Sequence, residues 1–135
     1  MKSYVRVERV DTSSKEEVLD VTNLVEKAIN KSGVKEGVAI VFLKHTTAAL
    51  CINEAERGLM DDILKTFSTL VKENKYKHDE VDRNATSHLR SILILPSLVL
   101  PVSGGSLQLG TWQRILMIEF DGPRRRELYV QVIGE

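Results

Sequence analysis

Thr111-Trp112-Gln113-Arg114-Ile115-Leu116-Met117-Ile118-Glu119-Phe120-Asp121-Gly122-Pro123-Arg124-Arg125-Arg126-Glu127-Leu128-Tyr129-Val130-Gln131-Val132-Ile133 is the stretch that decides the fold class. Thr111 to Phe120 reads as a long central strand. Asp121-Gly122-Pro123 is a turn, and Glu127 to Ile133 is an alternating strand with Leu128, Val130 and Val132 inward. So short a reversal joins antiparallel neighbours, because parallel strands need a much longer crossover. Just upstream, Ser97 to Val102 is a further strand and Gly104-Gly105 supplies a tight hairpin turn. The last third of the chain is therefore sequential hairpins.

Helices are inserted earlier. The chain opens on a half-buried strand, with Tyr4, Arg6 and Glu8 facing one way and Val5, Val7 and Val10 roughly the other. Thr22 is placed to cap a helix carrying Leu24, Val25, Ala28 and Ile29, closed by Gly33. Val38 to His45 is apolar in both phases, a strand covered on two faces, and Ala48 to Asn53 is a second such strand suited to pair with it. Leu59, Ile63, Phe67, Leu70 and Val71 give a helical stripe between Ala55 and Lys72. A polar loop follows to Asn84, which can cap a short helix with Leu89, Ile92 and Leu93 as its stripe. The expected fold is α+β: a largely antiparallel, sandwich-like sheet packed with two or three helices, in a single compact domain over residues 1–135.

Composition narrows the function classes. Of 135 residues, 42% are hydrophobic, too many for a disordered chain, and 19 basic residues balance 19 acidic ones. A neutral chain with 5% aromatic residues has neither the charge nor the stacking surface of a nucleic-acid binder. The longest apolar run, Ser91 to Val102, is shorter than a membrane helix requires and is broken by Pro96 and Pro101. The first residues form no secretion signal, and the lone Cys51 excludes an internal disulfide; together they predict a cytoplasmic protein.

Three histidines are the residues best suited to chemistry. His45 ends a strand, His78 precedes Asp79 in the polar loop, and His88 follows Asn84 by one helical turn. Brought together, three neutral imidazoles would hold a metal with an open position. Glu54, Asp61, Asp62 and Asp79 would orient the rings or ligate a harder ion such as magnesium. Their spacing matches no compact zinc signature. Thr46, Thr47 and Cys51 are possible nucleophiles, although a cysteine in an apolar strand is usually a small core residue. Arg124-Arg125-Arg126 would bind phosphate or form a solvated charge run. Trp112 reads as core, and Gln113 and Glu119, in phase with Ile115 and Met117, need partners if buried.

His45-Thr46-Thr47-Ala48-Ala49-Leu50, with Ile52-Asn53-Glu54, resembles the opening motif of the YjbQ-like family of small bacterial and archaeal proteins. The likeness continues through Tyr76-Lys77-His78-Asp79, Ser87-His88-Leu89, Ser97-Leu98-Val99-Leu100-Pro101-Val102, Gly110-Thr111-Trp112-Gln113 and Asp121-Gly122-Pro123-Arg124. It spans essentially the whole chain. At Leu95-Pro96 this chain departs from relatives that commonly have glycine and a small residue, which leaves the local backbone path open.

The resemblance implies an α+β fold, a homotrimer and, for some members, a secondary thiamine-phosphate synthase activity. That transferase reaction joins a pyrimidine diphosphate to a thiazole phosphate, normally with magnesium. It also implies a site. Glu54, Asp79 and Asn84 are the expected catalytic residues, and Thr46, Thr47, Gln113 and Arg124 bind substrate. His45, His78, His88 and Asp62 are the expected ligands of a divalent metal, zinc or magnesium. The functional expectation is a metal-dependent enzyme acting on a phosphorylated or pyrophosphorylated small molecule. The alternative is a non-catalytic trimeric module that binds a metal ion or small anion.

Overall fold

The computed structural model describes residues 1–135. Eight strands and three helices follow one another as β1 (Lys2–Asp11), β2 (Glu17–Asp20), α1 (Thr22–Ser32), β3 (Gly37–Leu43), β4 (Ala48–Asn53), α2 (Arg57–Leu70), α3 (Ala85–Ser91), β5 (Ser97–Ser103), β6 (Ser106–Leu107), β7 (Arg114–Glu119) and β8 (Arg125–Gly134). A single 3-10 turn, Lys77–Glu80, interrupts the polar segment between α2 and α3. The strands form two sheets, β1-β8-β3-β5-β6 and β2-β7-β4. Every pairing is antiparallel, but the sequential hairpins expected in the C-terminal third do not all form: β5 and β6 pair across Gly104-Gly105, whereas Asp121-Gly122-Pro123 takes the chain from β7 in one sheet to β8 in the other.

The two apolar strands expected to pair do not. β3 lies in the five-stranded sheet between β8 and β5, whereas β4 pairs with β7 in the other. The four residues Lys44 to Thr47 carry the chain across. Strands apolar in both phases can be covered from either side, so pattern alone does not name a strand's partner.

The main core fills the space between the sheets and α1. It joins Val25, Ala28 and Ile29 of α1 to Ala39, Val41, Leu128, Val130 and Val132 of one sheet and Leu50, Ile115 and Met117 of the other. Along β7 the alternate residues Leu116 and Ile118 are also buried, as is Phe120 just beyond. That face lies under the helical layer, where the Phe67 ring of α2 meets Phe120 edge to face at 5.2 Å. Truncating Phe120 to alanine would cost about 3–5 kcal/mol by the usual scale for a buried aromatic ring.

Several local expectations are corrected by packing. Thr22 is not the cap of α1 but its first residue, with Val21 before it. Its hydroxyl instead donates to Asp20 Oδ1 at 2.6 Å and accepts the Ile115 N–H at 2.7 Å, tying the helix to β7. Gly33 does close the helix, at φ 71°, where residues with a Cβ are strained. In β1 the polar residues Tyr4, Arg6 and Glu8 take the more buried phase with Val10, and Val5 and Val7 are exposed. Thr111, Trp112 and Gln113 precede β7 in a turn, and Trp112 is 71% exposed rather than core. The Leu95-Pro96 segment links the sheets: its carbonyls accept the N–H groups of Leu50 at 2.8 Å and Leu43 at 2.9 Å.

α3 is the largest surprise. Ile92 and Leu93, expected in its apolar stripe, lie beyond its end and are exposed. Its buried face is Ala85, Thr86, Ser87, Arg90 and Ser91. Polar side chains dock it by hydrogen bonds: Ser87 Oγ donates to the Phe120 carbonyl at 2.7 Å and Ser91 Oγ to the Ala48 carbonyl at 3.0 Å. Arg90 donates to the Val71 carbonyl at 2.8 Å, which anchors the end of α2. Such a face can be buried only because every group finds a partner.

Candidate functional site

Of the six connections that carry the chain from one sheet to the other, three, β1 to β2, β3 to β4 and β7 to β8, pass the same corner. There Arg126 of β8 and Glu119 of β7 form a fully buried ion pair. Thr12, after β1, donates its hydroxyl to Glu119 Oε1 at 2.8 Å, and Thr47, before β4, accepts from Arg126 Nη2 at 2.8 Å. Burial pushes the Glu119 carboxyl up, but bonds from Arg126, Thr12 and the Asp121 N–H outweigh this and hold it below its ordinary value. The two threonines expected to bind substrate thus part company: Thr47 is buried within this network, whereas Thr46 is exposed at the rim of a cavity.

His45 sits directly against this pair. Its Nε2 accepts the main-chain N–H of Glu127 at 3.0 Å. Partial burial lowers its pKa, and the positive charge of nearby Arg126 lowers it further. His45 and Thr46 line a cavity of about 480 Å³ with His88, and Ile92, Ile94 and Leu95 form its apolar wall. A second hollow, of about 320 Å³, lies on the other side of His88 and is lined by Tyr76, His78 and Leu89. His78 and His88 touch edge to face, with ring centroids 4.6 Å apart. The three imidazoles therefore occupy one continuous surface, with His88 in the middle.

The turn after β7 completes the polar side. Asp121 is a hub: its Oδ1 accepts from Lys15, and its Oδ2 accepts from Asn84 Nδ2 at 2.8 Å and Arg124 Nη2 at 2.9 Å. Burial raises the Asp121 carboxyl, yet Lys15, Asn84 and Arg124 bring it below the ordinary range. Gly122 is needed for the close approach, because a Cβ there would run into the Ser14 carbonyl oxygen. Asn84 precedes α3 without capping it through its side chain. Asp79 takes that part, accepting the Ala85 N–H at 3.0 Å. Asn84 is thereby free to reach Asp121.

Two side-chain polar atoms shut off from solvent make no hydrogen bond within the protein, His78 Nε2, which stands 3.9 Å from Asp82 Oδ2, and Asn84 Oδ1. Both belong to this region.

The expected residues divide accordingly. His45, Thr46, His78, His88, Asn84 and Arg124 surround the corner, with Asp79 beneath as a helix cap. Asp62 stands exposed on α2 and lines neither cavity. Glu54 lines a separate hollow with Trp112 and Arg114, and Gln113 closes the preceding turn by accepting the Gly110 N–H at 2.8 Å. No three His, Cys, Asp or Glu side chains gather closely enough to share an ion. The donor set of the chain therefore does not match the expected four-ligand centre, since an ion bound by protein alone needs at least three donors. Cys51 is half-buried on β4, and burial raises its thiol pKa, so it is a poor nucleophile.

Sequence reasoning passed over Lys15, Asp121 and the Arg126–Glu119 pair. A signal existed for the last: Arg126 shares the phase of Leu128, Val130 and Val132, as Glu119 shares that of Ile115 and Met117.

A family model described as "UPF0047 protein YjbQ-like" matches residues 6–135. A UPF0047 protein of Archaeoglobus fulgidus is 47% identical over 123 residues, covering 90% of this chain and 95% of that one. The UPF0047 protein YugU of Bacillus subtilis is 33% identical, with coverages of 93% and 96%. Among crystal structures, one described as a YbjQ-like protein of unknown function from Sulfolobus solfataricus superposes with a TM-score of 0.97 at 40% identity, over 99% of both chains. A hypothetical protein from Aeropyrum pernix gives a TM-score of 0.94 at 45% identity, over 97% of this chain and 98% of that one.

Proposed function

The chain belongs to the UPF0047 YjbQ-like family, and from that premise we propose that it is a small enzyme acting on a phosphorylated or pyrophosphorylated small molecule at the corner where the sheets meet. The observation that carries this reading is the pair of buried, unpartnered atoms, His78 Nε2 and Asn84 Oδ1. Folding leaves such atoms without a bond only at a cost of about 1–3 kcal/mol each, and a bound ligand would recover it. Arg124, Lys15 and three imidazoles give the surroundings a positive or donor character suited to an anion. The wall of Ile92, Ile94 and Leu95 suits an apolar body attached to it.

In this reading Arg124, oriented by Asp121, stabilises charge on a phosphoryl or pyrophosphate group. As the thiazole nitrogen of one substrate bonds to the pyrimidine's methylene carbon, that carbon's bond to the pyrophosphate oxygen breaks and pyrophosphate leaves; His88, which borders both hollows, donates a hydrogen bond to the departing oxygen. Asn84 and His78 fix the ligand's orientation. No step is assigned to a zinc or magnesium ion, because no three His, Cys, Asp or Glu side chains of the chain gather closely enough to hold one.

The test is calorimetric titration with inorganic pyrophosphate, followed by a pyrophosphate-release assay on a pyrimidine diphosphate with a thiazole phosphate, with and without chelator. Pyrophosphate should bind, and His88→Ala should weaken binding and turnover by about tenfold or more. Absence of binding, or His88→Ala behaving as wild type, overturns the proposal.

One observation favours binding without turnover. The hydroxyls of Thr12, Thr47, Ser87 and Ser91 are all bonded to the fold, and Thr46, which does line the cavity, has no base hydrogen-bonded to its hydroxyl, so no activated nucleophile faces the cavity. Tight pyrophosphate binding with no release from any diphosphate would select that reading. Self-association accompanies either one. Exposed Ile92 and Leu95 border the cavity, Val99 is exposed on β5, and a second copy in a trimer would cover them.

A further inference from the structure

We propose that His45 is a hydrogen-bond donor to the ligand through Nδ1–H, and not a metal ligand or a base. The proposal rests on the anion-binding reading given above. It follows from one contact. The main-chain N–H of Glu127 points at His45 Nε2 from 3.0 Å. A main-chain N–H can only donate, so Nε2 must be the ring's acceptor nitrogen, with its lone pair in that bond. The proton of the neutral imidazole is then on Nδ1. This bond ties the ring at the end of β3 to the main chain of β8 and fixes which of its nitrogens faces Glu127.

The ring's surroundings keep it in that state. Burial and the Arg126 charge both oppose a second proton on His45. Nδ1 has no hydrogen-bond partner in the chain and is not among the enclosed, unpartnered atoms, so it opens towards the cavity that His45 shares with Thr46 and His88. A fixed N–H there recognises an acceptor: a phosphoryl or carboxylate oxygen. An ion would meet a hydrogen, not a lone pair. A general base would find none either. The backbone thus sets the tautomer, and the tautomer sets the ligand's polarity at this end of the cavity.

Long-range proton–nitrogen spectra of the 15N-labelled protein read the tautomer directly. The expected result is His45 with a protonated Nδ1 and an acceptor-type Nε2, unchanged when zinc is added. Inorganic pyrophosphate should shift the His45 Nδ1 signal. Two variants separate the nitrogens. His45→Asn places an amide donor near the Nδ1 position and should bind pyrophosphate within about threefold of wild type. His45→Gln, which reaches towards Glu127 instead, should lose about tenfold or more. A proton on Nε2, coordination of zinc by His45, or retention by His45→Gln with loss by His45→Asn overturns the proposal while leaving the anion site standing. Failure of the wild-type protein to bind pyrophosphate overturns the site and this assignment with it.

Discussion

The Arg126 guanidinium and the Glu119 carboxylate meet across the boundary between the two sheets, one on the five-stranded sheet and the other on the three-stranded sheet, both fully enclosed. The pair adds a polar tie between layers that also share one hydrophobic core. Its charges act on nearby His45. A buried ion pair adds little net stability, but losing one partner leaves an uncompensated charge.

Glu119→Gln and Arg126→Met should therefore each destabilise the protein by about 3–5 kcal/mol. For a chain of this size that lowers Tm by roughly 10–20 °C. The double variant Glu119→Leu/Arg126→Met should recover much of the loss, since no charge remains buried. Thermal unfolding of the three variants checks the coupling.

Stability should fall on the acid side. The folded-state pKa values of Glu119 and Asp121 lie below their ordinary values. Their contribution is therefore present above the unfolded carboxylate range of about 4 and disappears as pH falls through the lower folded values. His45, whose folded pKa is also lowered, acts in the same direction from about pH 6.5 downward, where the unfolded chain takes up its proton first. Urea midpoints measured from pH 7 to pH 3 should decrease steadily; a flat profile contradicts the assignment.

His78→Phe should separate stability from binding. The phenyl ring keeps the contact with His88 while removing the unpartnered Nε2. Tm should stay level or rise, and pyrophosphate affinity should fall by about tenfold. A variant that binds normally shows that the orphaned nitrogen serves no ligand.

Ile92 and Leu95, at the rim of the cavity, are 73% and 63% exposed. Ile92→Lys with Leu95→Lys should shift the light-scattering mass towards that of a single chain, with secondary structure unchanged by circular dichroism. Buried surface at a subunit contact does not tolerate an unpaired ammonium. An unchanged mass places the contact elsewhere.

A chain's alternation, turns and helix ends are local properties, and they were legible. The reversal at Gly104-Gly105 was legible as a hairpin and Gly33 as the end of α1, but Asp121-Gly122-Pro123, expected to join paired neighbours, instead passes the chain from one sheet to the other. The motif residues around His45, His78 and His88 were identifiable as a set, although 33 and 10 positions separate them in the chain.

Partner choice was not legible, because it depends on what lies opposite after folding. β3 and β4 share a pattern yet enter different sheets. α3 buries serines and an arginine because carbonyls of Phe120, Ala48 and Val71 happen to face them. Arg126 leaves a run of three arginines for the interior because Glu119 waits across the gap. Amino-acid order supplied the parts and their periods. Only the closing of the two sheets on one another decided which charges would be sheltered, which imidazoles would touch, and which polar atoms would be left wanting a partner, since hydrogen bonds and ion pairs between distant residues exist only when burial removes the competing water.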